Sequence, residues 1–215
     1  MSCRLPPVYP ILNIDAESEQ DWAEAMLVGF FSAGIDLVQL RGKGLSDADY
    51  LKWALYCRAR CTSAGARLII NDRVEIAEMA GAHGVHLGQT DLPPAIVREH
   101  FREDLIIGYS CHSFEQIRAT QEFRSSLSYL AIGPIFETSS KQNADPVVGL
   151  GELTRIREAL TAERCELPLV AIGGIELDNI RELRSRGADS VAMISALGNE
   201  SEVEGRAKEA MRLAT

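Results

Sequence analysis

The sequence predicts an α/β fold, a (β/α)8 TIM barrel built as a single domain over residues 1–215. Three observations support this class. Short apolar runs alternate with amphipathic segments eight times, glycines follow the amphipathic segments, and 215 residues leave almost nothing for a second domain beside eight strand–helix units. The alternative is a doubly wound open sheet, which usually carries a nucleotide fingerprint after its first strand, and none is visible there.

The strands are predicted where apolar residues run together without polar alternation, which is typical of parallel strands buried on both faces. Each run precedes a segment with helical spacing, as a barrel requires. In chain order the runs are Tyr9–Leu12, Asp36–Leu40, Leu68–Ile70, Gly84–Leu87, Leu105–Gly108, Tyr129–Ile132, Leu167–Ile172 and Ser190–Ile194.

The helices are predicted from apolar residues that recur three and four positions apart. They are Asp21–Ala33, Asp47–Ser63, a shorter helix after Asp72 that ends near Gly81, Pro94–Phe101, Phe114–Phe123, Leu153–Leu160, Asn179–Arg186 and Glu202–Leu213. Residues that favour helix N-caps precede three of them, namely Ser46, Ser113 and Asp178. Glycines that favour helix C-termini follow four of them, namely Gly34, Gly65, Gly81 and Gly187.

The composition narrows the function classes. Acidic residues number 31 against 22 Lys and Arg, a net charge of −9, which argues against a nucleic-acid partner held by phosphate contacts. No apolar run approaches the roughly 18–20 residues of a membrane span, and no signal peptide is visible. Five scattered cysteines without zinc spacing indicate reduced thiols, so we expect a cytoplasmic protein.

The loops after the last two strands predict a phosphate site. In a (β/α)8 barrel the functional residues follow the strands, and phosphate often binds after strands 7 and 8. Gly173-Gly174 follows strand 7 and Ile194-Ser195-Ala196 follows strand 8. Glycines let the backbone approach a ligand, and amides at the start of a short extra helix favour an anion. The alternative is that the glycine pair forms only a tight turn.

The end of the second strand predicts a cationic pair. Arg41 and Lys43 alternate with Gly42, so both side chains are expected on one side of an extended chain, where they could hold a polyphosphate or a carboxylate. The alternative is a solvated strand end. Lys141 would add a third cation if its loop folds over the site.

Two aspartates follow neighbouring strands. Asp72 and Asp91 come after strands 3 and 4, and their oxygens are ligands of the kind that Mg2+ prefers alongside a substrate phosphate. The alternative is that each caps the helix that follows it, and position alone leaves both interpretations open. Together the three features suit transfer chemistry on a diphosphate ester whose partner is also phosphorylated.

Other motifs are absent. The sequence contains no GxxxxGK[ST], HExxH or GxSxG pattern, and its four histidines lack a shared ligand spacing. His112 has the most polar surroundings at a strand end, whereas His86 is interpreted as a packing residue or the partner in a local hydrogen bond.

From about Leu37 to Leu197 the sequence resembles the thiamine phosphate synthase family, whose members are (β/α)8 barrels. The resemblance is carried by the combination of VQLRGK, LIINDRVEIA, GAHGVHLGQTDLP, IIGYSCHS, YLAIGPIFETSSK, VAIGGI and GADSVAMISAL. It implies a transferase that couples hydroxymethylpyrimidine diphosphate to thiazole phosphate with release of pyrophosphate, in thiamine biosynthesis. It further implies assistance by Mg2+ and small-molecule partners. A homodimer is one assembly that the sequence leaves open.

The resemblance also implies roles for individual residues. Gln39, Arg41 and Lys43 would line the pyrimidine diphosphate site, with Asn71 at the end of strand 3. Asp72 and Asp91 would hold Mg2+. Ser110 and Lys141 would touch pyrophosphate or pyrimidine, and Arg41 and Lys43 would share the catalytic role with them. The residues implied around the thiazole phosphate are Thr138, Ser140, Gly174, Ile194 and Ser195.

Three positions depart from the family pattern. Gly42 stands where an acidic residue is frequent, Glu137 adds a negative charge to a loop that often reads PTxTK, and the first strand ends in Asn13 rather than in Thr-Asp. The family's nearest relative is a thiazole tautomerase, in which His112 would be the acid–base group, but that relative tends to lose the metal carboxylates. A third alternative is a phosphate-ligand sensor without catalytic activity.

Overall fold

Eight parallel strands form a closed barrel, and a helix follows each strand. The computed structural model describes residues 4–138 and 146–215. The strands are β1 Val8–Asn13, β2 Leu37–Arg41, β3 Arg67–Asn71, β4 Gly84–Leu87, β5 Ile106–Cys111, β6 Tyr129–Ile132, β7 Leu169–Ile172 and β8 Ser190–Met193. The helices are α1 Gln20–Ser32, α2 Asp47–Ala64, α3 Val74–Met79, α4 Pro94–His100, α5 Phe114–Ala119, α6 Gly149–Ala162, α7 Ile180–Ser185 and α8 Val203–Ala214. The predicted fold class is confirmed.

Spatial order follows chain order, so each strand pairs with the next and β8 closes on β1. The closing register places Val8 opposite Val191 and Tyr9 opposite Ala192. Each crossover connection runs through a helix on the outside, and the carboxyl ends of all eight strands therefore meet at one rim. Within the described ranges, no helix has the length and apolar character needed to span a bilayer.

The cap predictions hold at two of three N-termini. The hydroxyl of Ser46 accepts the Asp49 amide proton and that of Ser113 accepts the Gln116 amide proton, which satisfies first-turn donors of α2 and α5. Asp178 was expected to cap α7, and that prediction is wrong. Residue 178 lies inside a 3-10 turn, Leu177–Asn179, whose capping box uses Glu176 instead. The predicted length of the fifth helix, Phe114–Phe123, is also wrong. The helix α5 ends at Ala119, and two 3-10 turns follow it.

Apolar side chains form two separate layers. The larger layer lies between the barrel and the helices, where for example Leu27 and Phe30 of α1 are almost fully buried. The smaller layer fills the barrel interior, with Tyr9, Ile11, Leu37, Ile69, Tyr129, Ala131, Val170 and Ala192. Polar Gln39 and His86 are buried inside the same barrel. Because buried polar groups need partners, this interior must contain a hydrogen-bonded arrangement as well as an apolar core.

The four cysteines that the structure describes are free thiols, in agreement with the expected reduced state. Cys57 and Cys61 lie one turn apart on α2, and burial raises the pKa of the Cys61 thiol to about 12. Such thiols pack as small apolar side chains rather than react.

Candidate active site at the carboxyl ends of the strands

Arg41 is fixed at the rim by its neighbour on β1. It lies opposite Asn13 in the β1–β2 register, and its guanidinium donates to the Asn13 side-chain oxygen. The side chain is about nine-tenths buried, and this burial lowers the pKa of Arg41 while the charge of Asp72 opposes the shift. A guanidinium that is fixed by one hydrogen bond would offer its remaining N–H donors to an anionic ligand in a single geometry. Asn13, a departure from the family pattern, thus has a positioning role.

Asp72 follows β3 in an unusual backbone conformation. Its φ of 65° lies in the left-handed region that few side chains other than Asn and Asp adopt. The Asp72 amide donates to the His86 carbonyl oxygen at 2.8 Å, which ties the end of β3 to β4. The carboxylate lies 3.7 Å from the ammonium of Lys43, so the cationic and acidic features of the rim are in contact. Backbone strain of this kind is concentrated at functional sites.

The two aspartates share one patch of the rim. Asp91 is within hydrogen-bonding reach of Asp72, and its Oδ2 accepts the Gly88 amide proton at 2.6 Å. Burial, followed by the charge of Asp91, raises the pKa of Asp72 to about 6, against the opposing charges of Lys43 and Arg41. Ionisation of Asp72 is therefore less favourable than that of an exposed aspartate, and an additional cation beside the pair would favour the ionised form.

Neither aspartate caps a helix. The N-cap of α3 is Arg73 and that of α4 is Pro93, and neither helix receives a side-chain cap bond. The capping alternative is therefore wrong, and the two carboxylates remain available for a ligand.

The carboxylates of Asp72 and Asp91 fit Mg2+ better than a metal that is bound by three or more protein side chains. In the described part of the chain, no three His, Cys, Asp or Glu side chains form a group able to hold a metal ion. Mg2+ is commonly bound by one or two carboxylates and completed by substrate phosphate and water, which is what Asp72 and Asp91 offer beside a cationic patch.

Tyr50 of α2 explains the departure at Gly42. Its hydroxyl donates to the Leu40 carbonyl oxygen at 2.7 Å and accepts the Asn71 amide proton at 3.2 Å, which locks the ends of β2 and β3 together. A Cβ at residue 42 would lie 2.8 Å from the Tyr50 ring. The ring occupies the space that a side chain would need, so glycine is required here for packing.

A chain of hydrogen bonds crosses the barrel interior below the rim. The Gln39 amide nitrogen donates to the Tyr9 hydroxyl at 3.1 Å, and the Tyr9 and Tyr129 hydroxyls are 2.9 Å apart. His86 then joins Tyr129 to Ser110, with its Nδ1 2.8 Å from the Tyr129 hydroxyl and its Nε2 2.7 Å from the Ser110 hydroxyl. Gln39 and Ser110, two predicted substrate residues on different strands, are thereby connected.

The opposite side of the rim is shaped by glycine backbone. Gly173 and Gly174 have φ of 99° and 65°, and a Cβ on Gly174 would lie 2.3 Å from the Glu137 carbonyl oxygen. The Phe136 amide donates to the Gly173 carbonyl oxygen at 3.0 Å, so the loop after β6 packs directly on the pair. The backbone angles agree with the tight-turn interpretation, and the phosphate role of the pair stays a prediction.

The short extra helix expected after β8 is present as a 3-10 turn, Ser195–Leu197, with Ile194 before it. Strands β7 and β8 are adjacent, with Ile172 opposite Ala192, so both predicted phosphate loops leave the same sector of the rim. Ser195 is exposed and Ile194 is half-buried.

The loop after β6 is described only in part. Thr138 is half-buried at its start, whereas the predicted substrate residues Ser140 and Lys141 lie outside the described residues. His112, the acid–base candidate of the tautomerase alternative, donates from Nδ1 to the Gly133 carbonyl oxygen at 2.6 Å. That bond holds the ring against the loop after β6.

The structure thus places ten of the predicted residues at one end of the barrel, in two sectors. The β2–β5 sector holds Gln39, Arg41, Lys43, Asn71, Asp72, Asp91 and Ser110, and the β7–β8 sector holds Gly174, Ile194 and Ser195. Sequence reasoning missed Tyr9, Asn13, Tyr50 and Tyr129 as supports of these residues, whereas His86, interpreted as a packing residue or the partner in a local hydrogen bond, does form such bonds. A polar or tyrosine residue inside an apolar strand is the one sequence feature that could have marked them, because a buried hydroxyl or imidazole needs a partner.

Comparison with known proteins decides the family. A family model described as thiamine monophosphate synthase matches residues 8–197. Thiamine-phosphate synthase of Koribacter versatilis is 40% identical to this chain over 198 residues, which cover 90% of each protein. This chain belongs to the thiamine monophosphate synthase family. A second family member, thiamine-phosphate synthase of Methanoculleus marisnigri, is 42% identical over 178 residues, or 82% of this chain and 81% of the relative.

Solved structures agree with the family assignment. Thiamine phosphate pyrophosphorylase from Pyrococcus furiosus superposes with a TM-score of 0.80 at 27% identity, covering 97% of this chain and 95% of that one. The thiamine monophosphate synthase family therefore accounts for both the sequence motifs and the barrel.

Proposed function

We propose that this chain is a thiamine-phosphate synthase, a transferase that joins hydroxymethylpyrimidine diphosphate to thiazole phosphate and releases pyrophosphate. The observation that carries the proposal is the contact of Lys43 with Asp72, beside Asp91 and the buried Arg41, on the rim of a barrel of this family. Paired carboxylates next to paired cations suit a diphosphate that arrives with a divalent metal.

The β2–β5 sector would bind the pyrimidine diphosphate. Arg41 is anchored by Asn13 and directs its free donors to the diphosphate oxygens, while the mobile ammonium of Lys43 follows the charge. Gln39 and Ser110 would face the pyrimidine, and Asn71 sits at the end of β3, between them along the rim. Lys141 is proposed to reach the pyrophosphate from the loop after β6.

Asp72 and Asp91 would hold Mg2+, which when bound neutralises charge on the leaving pyrophosphate. The raised pKa of Asp72, caused first by burial and then by the charge of Asp91, supports this role, because a cation bound between the carboxylates would offset both causes. A bound cation would favour the ionised form of both groups.

The β7–β8 sector would bind the thiazole phosphate. Gly174, which has a positive φ, and the 3-10 turn that begins at Ser195 would present backbone amides to the phosphate, and Ile194 would line the site. Thr138 and Ser140 would close the phosphate site from the loop after β6. Backbone amides suit this phosphate because its charge does not change during the reaction.

The two sectors place the reacting groups across the rim. The bond between the pyrimidine methylene carbon and the diphosphate oxygen breaks, its electron pair leaves with pyrophosphate, and the methylene cation is captured by the lone pair of the thiazole nitrogen. Arg41, Lys43 and Lys141 would stabilise the charge that develops on the leaving group, which is the largest contribution that a protein can make to such a step.

The test is an assay with the purified protein and both substrates, with Mg2+ and with a chelator instead. We expect thiamine phosphate and pyrophosphate in equal amounts, and only with Mg2+. Isomerisation of a carboxythiazole phosphate without coupling would indicate the tautomerase alternative, in which His112 would act. Binding of both substrates without product would indicate a sensor, and either result would overturn the proposal.

A further inference from the structure

A second cleft lies at the end of the barrel opposite the rim, where the chain enters β8. Residues from α6, α7 and α8 and from the turn before β8 line it, and its volume is about 700 Å3. A cleft of this size can bury much of a small molecule. Its charged side chains are four arginines and one aspartate, and it is called the arginine cleft below: Arg157, Arg181, Arg184, Arg212 and Asp189.

The arginine cleft is positively charged on an acidic protein. The chain carries 31 acidic residues against 22 Lys and Arg, whereas arginines dominate this cleft. Thr215 also lines the cleft, and a terminal carboxylate there would still leave four cations against two acidic groups. A concave surface of one sign concentrates ions of the opposite sign, so the cleft favours an anion.

Arg184 is held in place by backbone. Its Nε donates to the Ala214 carbonyl oxygen at 2.9 Å and its Nη1 donates to the Ala188 carbonyl oxygen at 2.7 Å. These carbonyl groups lie at the end of α8 and just before β8, so the guanidinium joins two elements of the cleft. Within residues 4–138 and 146–215, the Arg184 Nη2 forms no hydrogen bond, which leaves two N–H donors for a ligand.

Arg157 is fixed in a similar way from α6. Its Nε donates to the Gly187 carbonyl oxygen at 2.7 Å, and its Nη2 pairs with Asp189. Gly187 has a φ of 99°, and a Cβ there would lie 2.4 Å from the Arg157 Cγ. Glycine therefore lets the turn before β8 pack against the arginine stem. The Arg157 Nη1 has no hydrogen-bond partner in the described part of the chain, so it also remains available.

Arg181 and Arg212 differ from the first two arginines because they do not hold the fold together. Arg212 is exposed and pairs with Glu209 one turn before it, and such surface pairs contribute little to stability. Arg181 is also exposed, and among the described residues it forms neither a hydrogen bond nor an ion pair. Binding of helix-end carbonyl groups explains Arg184, but it explains neither of these two side chains.

We propose that the arginine cleft binds a small molecule that carries two or more linked phosphates. The four guanidinium groups come from three helices, so a ligand would meet N–H donors from more than one direction. A phosphate accepts such donors on oxygens arranged as a tetrahedron, whereas a planar carboxylate is matched by a single guanidinium fork. The cleft is also much larger than one phosphate ion. Binding here does not depend on the reaction proposed at the rim.

The first test is a titration of the 15N-labelled protein with inorganic triphosphate, followed by NMR in the presence of a chelator. The backbone amides of Gly187, Ala188 and Asp189 and the Nε–H groups of Arg157 and Arg184 report on the cleft. We expect their signals to shift and to saturate, whatever happens at the rim. Shifts confined to the rim, or shifts at the cleft that do not saturate, would overturn the proposal.

The second test removes the two exposed cations, Arg181→Gln with Arg212→Gln. The dissociation constant obtained from the cleft signals should rise at least about tenfold, because charge-assisted hydrogen bonds are lost. The control removes the same charge elsewhere, Arg118→Gln with Arg155→Gln, where Arg155 pairs with Glu152 at the same spacing as the pair in α8. The control should stay within about twofold of the wild type. Equal weakening in both variants would mean general charge attraction and would overturn the proposal.

Citrate separates phosphate recognition from attraction of any multiply charged anion. Its carboxylates carry a similar total charge on planar groups, so we expect it to bind the cleft at least about tenfold more weakly than triphosphate. Equal affinities would overturn the assignment to phosphates. Should the double variant of the cleft not fold, Arg181→Gln alone replaces an exposed side chain and should raise the dissociation constant at least about threefold. An unchanged dissociation constant in that variant would overturn the proposal.

Discussion

The two sectors of the rim differ in the groups that they would offer to an anion. In the β2–β5 sector, side-chain charges lie in contact, with Lys43 3.7 Å from Asp72 and Asp91 beside them. In the β7–β8 sector, two glycines with positive φ and a 3-10 turn present mainly backbone. The difference fits the chemistry, because a leaving group gains charge during the reaction whereas a spectator phosphate does not. Charged side chains and a metal would stabilise the charge that develops on the leaving group. Fixed backbone amides would be sufficient to bind the phosphate whose charge stays constant.

The contrast between the two sectors is tested most strongly by removing both carboxylates from the β2–β5 sector. Asp72→Ala with Asp91→Ala should lower Mg2+-dependent turnover at least about a thousandfold, since charge stabilisation of the leaving group is lost. Binding of thiazole phosphate, measured by calorimetry, should stay within about twofold because it belongs to the other sector. The control replaces two exposed aspartates in loops that precede strands, at the other end of the barrel, Asp36→Ala with Asp104→Ala. Unchanged turnover in the rim double variant would remove the metal assignment.

Lys141 should have the next largest effect. Lys141→Ala is expected to lower kcat about 10²–10³-fold, which corresponds to roughly 2.7–4 kcal/mol for a group that stabilises developing charge. The measurement is a single-turnover rate at saturating substrates, with Lys208→Ala on the exposed face of α8 as control. A rate equal to that of the control would make Lys141 a surface lysine.

The burial of Asp72, together with the nearby charge of Asp91, predicts a pH dependence of stability. Because the pKa of Asp72 is raised to about 6 in the folded protein, its contribution is present below pH 3.8 and is lost as pH rises through 6. Asp72→Asn keeps a residue that tolerates a positive φ. Without metal we expect it to be more stable than the wild type by about 1–3 kcal/mol at pH 7.5, and equal to it near pH 4.

Urea unfolding at the two pH values measures this difference directly, and Mg2+ should reduce it at pH 7.5 by stabilising the wild type only. Equal stabilities of Asp72→Asn and wild type at pH 7.5 would mean that ionising Asp72 costs the folded protein no stability.

The smallest effect is expected in the β7–β8 sector. Ser195→Ala removes a hydroxyl and keeps the backbone amides, so the KM for thiazole phosphate should rise no more than about threefold, and kcat should not change. A much larger rise in KM would mean that side chains, and not backbone, bind the phosphate, and the contrast between the sectors would disappear.

The fold was predictable because it depends on a repeated pattern. Eight apolar runs separated by amphipathic segments admit few architectures, and all eight strands lie where the runs occur. Boundaries that depend on side-chain competition were less predictable. Asp178 has the right chemistry for an N-cap, but the chain enters a 3-10 turn one residue earlier, and Glu176 takes that place.

For the site, the rim residues were predictable because strand ends converge in a barrel, so Arg41, Asp72 and Asp91 could be grouped without coordinates. The residues that hold these side chains in position could not be predicted. Tyr50 acts from a helix, and His86 looks like an ordinary residue in an apolar strand until the register brings it to Tyr129 and Ser110. Contacts between side chains inside the barrel depend on the register of the strands, because the register decides which inward side chains meet. A single sequence does not determine that register.

The packing of Tyr50 against Gly42 constrains how this rim can change over evolutionary time. A Cβ at residue 42 would lie 2.8 Å from the ring, so an acidic residue there requires a smaller residue at 50 first or simultaneously. Losing the Tyr50 hydroxyl in turn unties Leu40 from Asn71. Residues 42 and 50 are therefore energetically coupled, and a side chain at position 42 should be tolerated better together with a smaller residue at position 50 than alone.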